Sequence, residues 1–398
     1  MTIQRVSEVV KPALLRWARE TSGLTAGEAA KKIGVKPERL AEWEEGTLRP
    51  TVAQLRKAAS VYKRPLAVFF FGDPPVQPVP LHDFRRLTAG TPSRLSSELL
   101  LEMRRARRRR AVALDLLGDL DRSVPELPLR TAPDDDPEEV AARARAWLGV
   151  SLEDQARWAG EYEPLSAWLT ALEARSVLVF QTSEVSLDEM RGFSLNERCL
   201  PVIVLNAKDA PRGRVFTLMH EFTHLMLSQG GVCDPLRVGR RARTADERVE
   251  VYCNRVGGAI LVPRDALLDH SLVVPVRGRR EWSDDVLGRL ADQFAVSREV
   301  VLRRLLILER TTEDFYDRKR REYLVQYQAL AARAREREGF PPLFRVAVRD
   351  NGRRYTRLVL EALERERITL ADVSAYLGVR LKHLADIAGA VERVAAPS

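Results

Sequence analysis

Cysteine, histidine and lysine are all scarce in this chain of 398 residues. The three cysteines, Cys199, Cys233 and Cys253, are odd in number and show no C-x-x-C spacing, which excludes a disulfide framework and a cysteine zinc knuckle. Any metal must then be held by histidine and carboxylate. No apolar stretch approaches the roughly 18 residues of a membrane span, and the segment Met1 to Arg16 lacks the apolar core of a secretory signal. The expectation is a cytoplasmic protein with no membrane partner. Only 9 lysines accompany 56 arginines, and the net charge is +9. Arginine forks onto phosphate or carboxylate, so this balance leaves a nucleic-acid partner open without establishing one. At about 150 residues per domain the length suits two or three domains. Neither an internal repeat nor a low-complexity array is evident.

The first seventy-odd residues read as short helices between turn signals. Residues 12–21 are helical and Gly23 breaks the pattern; Thr25 and Glu28 form a capping box that opens a second helix. Gly34 and Val35 make a tight turn, Pro37 opens a third helix, and Gly46 closes it. A second capping box, Thr51 with Gln54, starts a fourth, and Pro65 to Phe71 supplies an apolar closing turn. The Pro-rich segment Asp73 to Pro80 marks a boundary. Beyond it Ser93 to Leu120 reads as one long helix carrying Arg104, Arg105 and Arg107 to Arg110. Asp134 to Asp136 cap a further helix with Pro137 at its first position. The Val- and Ile-rich runs Ser176–Thr182 and Leu200–Asn206 read as strands bracketing a turn at Gly192, and from Arg214 onward the pattern is helical.

Chemistry concentrates at His220-Glu221-Phe222-Thr223-His224, inside an apolar helical run from Val215 to Leu227. Positions i and i+4 share one helix face, so both imidazoles can reach one tetrahedral zinc ion. Glu221 can lean over the metal's open position and take a proton from a bound water. A hydrolytic zinc needs a third protein ligand. The extended histidine motif is broken by Leu227 and Gly230, so that ligand is remote in sequence. Downstream, Glu250, Asn254 and Gly257 fall at i, i+4 and i+7 of a second helical segment. That face carries a carboxylate, an amide and no bulk. It could let two helices approach closely, with Glu250 on the metal and Asn254 holding a ligand from behind.

These residues are similar to those of the ImmA/IrrE family of bacterial zinc metallopeptidases. Its second motif runs approximately E-x-x-A-N-x-F-A-x-x-L-L-x-P, which Glu250, Cys253, Asn254, Val256, Gly257, Ile260, Leu261 and Pro263 follow with Cys for Ala, Val for Phe and Gly for Ala. The resemblance extends to Arg191–Ser194, Pro201–Asn206 and Phe216–His220 and covers about 150–310. It implies zinc bound by His220, His224 and Glu250, and Glu221 as the base that activates water and passes the proton to the leaving amine. Asp246 and Glu247 are left as a solvated first turn. Tyr316 is the leading candidate for a transition-state donor, with Tyr323 and Arg318 behind it. His82, His270 and His383 have no partner at metal spacing.

The N-terminal helices resemble the lambda-repressor-like (XRE) helix-turn-helix class. In that register Lys36 and Arg39, with Glu42, face bases, while Lys32 and Arg49 touch phosphate. Residues 1–75 hold 13 basic against 8 acidic side chains, yet the reading helix also carries Glu38, Glu42, Glu44 and Glu45, which oppose phosphate. The run Arg104 to Arg110 goes round its helix and reads either as a solvated face pairing with acids such as Asp134–Asp136 or as a phosphate contact. Towards the end, Thr369 with Asp372 and the turn Leu377-Gly378-Val379 resemble a small helical module at the end of some family members. A dimer contact, a lid and a second nucleic-acid module all remain open for it.

The expected fold is mainly α (α+β). It has an all-α helix-turn-helix domain at 1–75, a Pro-rich linker and Arg-rich helix at 76–135, a zincin-like α+β metallopeptidase domain with a small sheet at 136–310, and a C-terminal helical module at 311–398. The expected activity is zinc-dependent cleavage of a protein substrate, a transcriptional repressor or similar regulator, with DNA as a further partner and a homodimer open. The competing reading is a transcription regulator whose zincin domain senses without cleaving. A third is a toxin–antitoxin or phage-defence component.

Overall fold

The computed structural model describes residues 10–74, 82–83, 95–228, 231–233, 244–275, 278–337 and 341–392. The chain divides into two compact units, 1–80 with 90–105, and 81–89 with 106–398.

The first unit is all helix: α1 (Pro12–Glu20), α2 (Ala26–Ile33), α3 (Pro37–Glu45) and α4 (Val52–Val61), closed by a 3-10 turn at Leu66–Phe70. Local chemistry sets each boundary. Thr25 and Thr51 form full capping boxes with Glu28 and Gln54, and Gly34 and Gly46 end α2 and α3 in the left-handed region. Leu14, Ala29, Leu40, Trp43 and Phe69 make the core. Glu44 is buried beside them, where the Arg19 guanidinium grips it through Nε (2.7 Å) and Nη2 (2.9 Å). This removes Glu44 from the exposed face of α3.

The second unit contains β1 (His82–Asp83), α6 (Pro137–Leu148), α7 (Leu152–Arg157), α8 (Glu163–Ala174), β2 (Leu178–Thr182), β3 (Gly192–Leu195), β4 (Val202–Asn206), α9 (Pro211–Met226), β5 (Gly231–Cys233) and α10 (Ala245–Leu261). There follow α11 (Arg264–Leu268), α12 (Asp284–Gln293), α13 (Arg298–Ile307), α14 (Glu313–Arg337), α15 (Leu343–Asn351), α16 (Arg353–Glu364), α17 (Leu370–Leu377) and α18 (Leu384–Glu392). The residues of α5 (Ser97–Asp119) are divided between the two units. Among the described residues no helix is long and apolar enough to cross a membrane.

One small mixed sheet runs β1-β5-β3-β4-β2. Strand β4 pairs in parallel with β2, from Leu178 opposite Val202 to Thr182 opposite Asn206, and antiparallel with β3. Both β2 and β4 are buried along their whole length, as their continuous apolar composition requires. Gly192, expected at a turn, instead opens β3, and β5 interrupts the otherwise helical region after Arg214. The sheet supports α9, whose residues from Arg214 to Met226 are all buried and which packs on the sheet, α8 and α10.

Arg104, Arg105, Arg109 and Arg110 of α5 have partners within the fold. Arg104 donates to the Tyr62 carbonyl, and Arg105 pairs with Glu102. Further along, Arg110 donates to the carbonyls of Cys199 (2.8 Å) and Leu200 (3.1 Å), and Arg109 lies over the Phe180 ring. The partners are the carboxylates of Glu102 and Glu197, backbone carbonyls and a ring face rather than Asp134–Asp136. Asp136 serves its own helix, accepting from the Glu138 N–H at 2.7 Å, and Asp135 accepts from the Ala132 N–H in the turn before it.

Candidate metal centre

Two helix starts set the site. At the first turn of α9 the Ala210 N–H donates to Asp209 Oδ1 and to the Tyr327 hydroxyl, both at 2.9 Å, while Arg191 grips Asp209 Oδ2 at 2.8 Å. The loop before β3 is thereby tied to the beginning of α9. At α10 the Thr244 hydroxyl accepts from the Glu247 N–H, and the Glu247 carboxylate returns to the Thr244 N–H. Glu247 is thus a capping residue, which leaves Glu250, one turn on, as the inward carboxylate.

Close approach of α9 and α10 follows from Gly257. A methyl group there would lie 3.1 Å from the His220 backbone nitrogen and 3.3 Å from the Met219 carbonyl carbon, so no larger residue fits without parting the helices. The approach brings three side chains together. His220 Nε2 and His224 Nε2 are 3.1 Å apart; Glu250 Oε1 is 3.0 Å from His224 Nε2, and its Oε2 is 3.5 Å from His220 Nε2. All three residues are buried, both histidines at 0% exposure and Glu250 at 5%. Behind them the Asn254 Oδ1 lies 3.1 Å from His220 Nδ1. An amide oxygen only accepts, so the ring proton sits on Nδ1 and Nε2 presents its lone pair to the cluster.

This donor set fits a divalent metal ion. Metal–nitrogen and metal–oxygen bonds of about 2.0–2.1 Å in a tetrahedron put neighbouring ligand atoms about 3.3 Å apart, close to the three separations observed. Two imidazole nitrogens and a carboxylate converging in a dry interior call for a shared cation, because their lone pairs repel one another. Burial alone pushes the Glu250 carboxyl up. Positive charge on the facing His220, with His224, outweighs burial and holds it well below the usual carboxylate range, and a shared cation takes that part when both imidazoles are neutral.

Glu221 is fully buried on the same helix. A methyl group added at Gly192 would stand 2.7 Å from Thr217 Cγ2 and 3.1 Å from Glu221 Oε1, so the start of β3 lies flush against the Glu221 side chain. The Cys253 thiol is pushed well above its usual range by burial and then by the charges of Glu250 and Glu221. Gly192 and Cys253 were not singled out as site residues from the sequence. Cys253 lies three residues after Glu250 and one before Asn254, so the helical period carried a signal for it. Gly192 lies 29 residues before Glu221 and offered none.

The other candidate residues are each tied to a carboxylate of their own. The Tyr316 hydroxyl donates to Glu299 Oε1 at 3.1 Å, and its pKa is pushed up to about 12 by burial and the neighbouring Glu299 against the pull of Arg303. Arg318 pairs with Glu281, and Tyr323 donates to Asp284. His270 is held by Gln293 and by the Leu272 N–H, and the side chain of His82 lies outside the described residues. In the first unit Lys32, Lys36, Arg39 and Arg49 are all exposed, on α2, at the start of α3, on α3 and after it.

Residues 174–306 match the peptidase family model described as "IrrE N-terminal-like domain", and residues 15–69 match the model described as "Helix-turn-helix". The first match holds the whole His220–Glu221–His224–Glu250 constellation, and the second spans α1 to α4. No curated protein and no solved structure matches the chain. The chain thus carries a region similar to a peptidase domain and a region similar to a helix-turn-helix, the combination that the resemblance implied.

Proposed function

We propose that this chain is a zinc-dependent endopeptidase that cleaves a protein substrate, a transcriptional repressor or similar regulator. The observation that carries the reading is the buried convergence of His220, His224 and Glu250 within 4.8 Å of one another, with Glu221 beside them on the same helix. His220, His224 and Glu250 hold the metal, and Asn254 orients His220 through Nδ1. A zinc ion there supplies Lewis-acid polarisation of water and of a peptide carbonyl. Glu221 accepts the proton of the attacking water at its carboxylate and returns it to the departing amine. The walls around it exclude bulk water, which strengthens each of these electrostatic contacts. A helix-turn-helix on the same chain supports a substrate that works at DNA.

The test is to incubate the zinc-loaded protein with candidate repressors encoded beside its gene, comparing wild type with Glu221→Gln. Cleavage by the wild type, lost in a variant that keeps its zinc, is the expected result. If neither protein cuts while both shift operator DNA, the non-cleaving regulator takes its place.

A further inference from the structure

The C-terminal helices repeat the N-terminal helix-turn-helix at a constant offset, although the sequence shows no evident repeat. Thr369 stands 344 residues after Thr25, and each caps an eight-residue helix through a full capping box, with Asp372 in the place of Glu28. Both helices end on a left-handed glycine, Gly34 (φ 79°, ψ 42°) and Gly378 (φ 67°, ψ 31°). The next residue then donates back across the turn in the same way, Val35 to the Ala30 carbonyl (3.0 Å) and Val379 to the Ser374 carbonyl (3.2 Å). The preceding helices, α1 and α16, end at Glu20 and Glu364, the same distance before the capping threonine.

Burial follows the same register. Leu14, Leu15 and Ala18 of α1 correspond to Leu358, Val359 and Ala362 of α16, and all six are buried. Ala29 and Ile33 correspond to Val373 and Leu377, and Trp43 to Ile387, again all buried. A capped helix ending in glycine is common by itself. Agreement of two special backbone conformations and of the buried positions across three helices is what identifies a helix-turn-helix. The two copies differ in their support. The first continues into α4; in the second α18 packs on the upstream α15, whose Asn351 Nδ2 donates to the Leu377 carbonyl at 2.9 Å.

We propose that α16, α17 and α18 form a second helix-turn-helix whose exposed 380–386 face binds double-stranded DNA. The charge on the reading face favours this occupant. In α3 the exposed side chains include Glu38, Glu42 and Glu45 beside Lys36 and Arg39. The equivalent positions are Lys382, Asp386 and Gly389 beside Arg380 and His383. Two of three exposed acids are gone, one of them replaced by a lysine. Arg380, Leu381 and Lys382 are exposed at the entry to the second helix, where this motif meets the major groove and the phosphates beside it. The inference needs neither the metal nor Glu221, so it stands or falls separately from the peptidase reading.

The test measures binding of the full chain to a random-sequence duplex by fluorescence anisotropy over a range of salt, for wild type, Arg380→Ala/Lys382→Ala and Lys36→Ala/Arg39→Ala. Removing two phosphate contacts is expected to lower the slope of log K against log salt by about 2 and to weaken binding at moderate salt by about tenfold or more. Lys382→Gln alone should lower the slope by about 1. Residual binding is expected in the Lys36→Ala/Arg39→Ala protein. Unchanged affinity and slope in Arg380→Ala/Lys382→Ala would overturn the proposal, as would absence of duplex binding by the wild type at low salt. Loss of self-association in that variant with DNA binding intact would assign the face to a second copy of the chain.

Discussion

The α9–α10 centre and the α2–α3 helix-turn-helix place their polar residues in opposite ways. In the centre His220, Glu221, His224, Glu250 and Asn254 are all buried, and each of them must be satisfied from within the fold. On the helix-turn-helix Lys32, Lys36, Arg39 and Arg49 are exposed and the solvent satisfies them. Buried polar groups therefore declare their chemistry through geometry, as the three facing ligand atoms do. Exposed charges declare only which partners they would attract or repel, and two copies of one scaffold can differ in just that respect.

The contrast can be broken or sharpened by experiment. The largest effect is expected for His224→Ala, which should abolish zinc occupancy by metal analysis; a variant retaining full zinc would remove His224 from the ligand set. Next is Glu173, buried on α8, whose carboxyl is pushed up to about 7 by burial against hydrogen bonds and charge from Arg354 and Arg353. Raised in the folded state from 4.5, this group favours folding below pH ~4.5, and that stability is lost as the pH rises to about 7. The loss should approach ~3 kcal/mol in denaturant titrations, and Glu173→Gln should flatten the profile. A wild-type profile already flat over that window would show that burial does not control this carboxyl.

Smaller changes probe the helix contact and the exposed face. Gly257→Ala should cost about 1–3 kcal/mol of stability, since the methyl group meets backbone of α9 rather than a movable side chain. Asn254→Ala should weaken zinc about 10–100-fold in competition with a chelator while the fold persists, and an unchanged affinity would leave Asn254 no part in orienting His220. The smallest effect belongs to the exposed side. Arg39→Ala should leave zinc content and stability unchanged and lower the salt slope of DNA binding by about 1; no change in that slope would take Arg39 off the DNA contact.

Much of this was legible in the sequence because it is local. The pairing of His220 with His224 depends on a four-residue helical interval, and the capping boxes at Thr25 and Thr51 close within three residues. The face shared by Glu250, Asn254 and Gly257 is equally a matter of helical period. Assigning Glu250 to the cluster drew on family resemblance, since spacing along α10 does not say which helix it will meet. The arginines of α5 do meet acids, Glu102 and Glu197, but Arg110 also reaches the carbonyls of Cys199 and Leu200 about ninety residues away, which composition does not reveal. For the C-terminal helices the sequence left a second nucleic-acid module open beside a dimer contact and a lid, for a related reason. Its kinship lies in caps, left-handed glycines and small buried positions, which many side chains satisfy.

By itself the sequence determined which residue types could hold a metal, where helices begin and end, and that no disulfide framework or membrane span was to be sought. These follow from donor chemistry and from hydrogen bonds that close within one turn. Only the tertiary structure decided that Gly257 brings α10 onto His220, that Gly192 lies against Glu221, and that Glu44 turns away from the reading face onto Arg19. Each depends on a contact between segments distant in the chain, and steric fit there is settled by the packed interior as a whole.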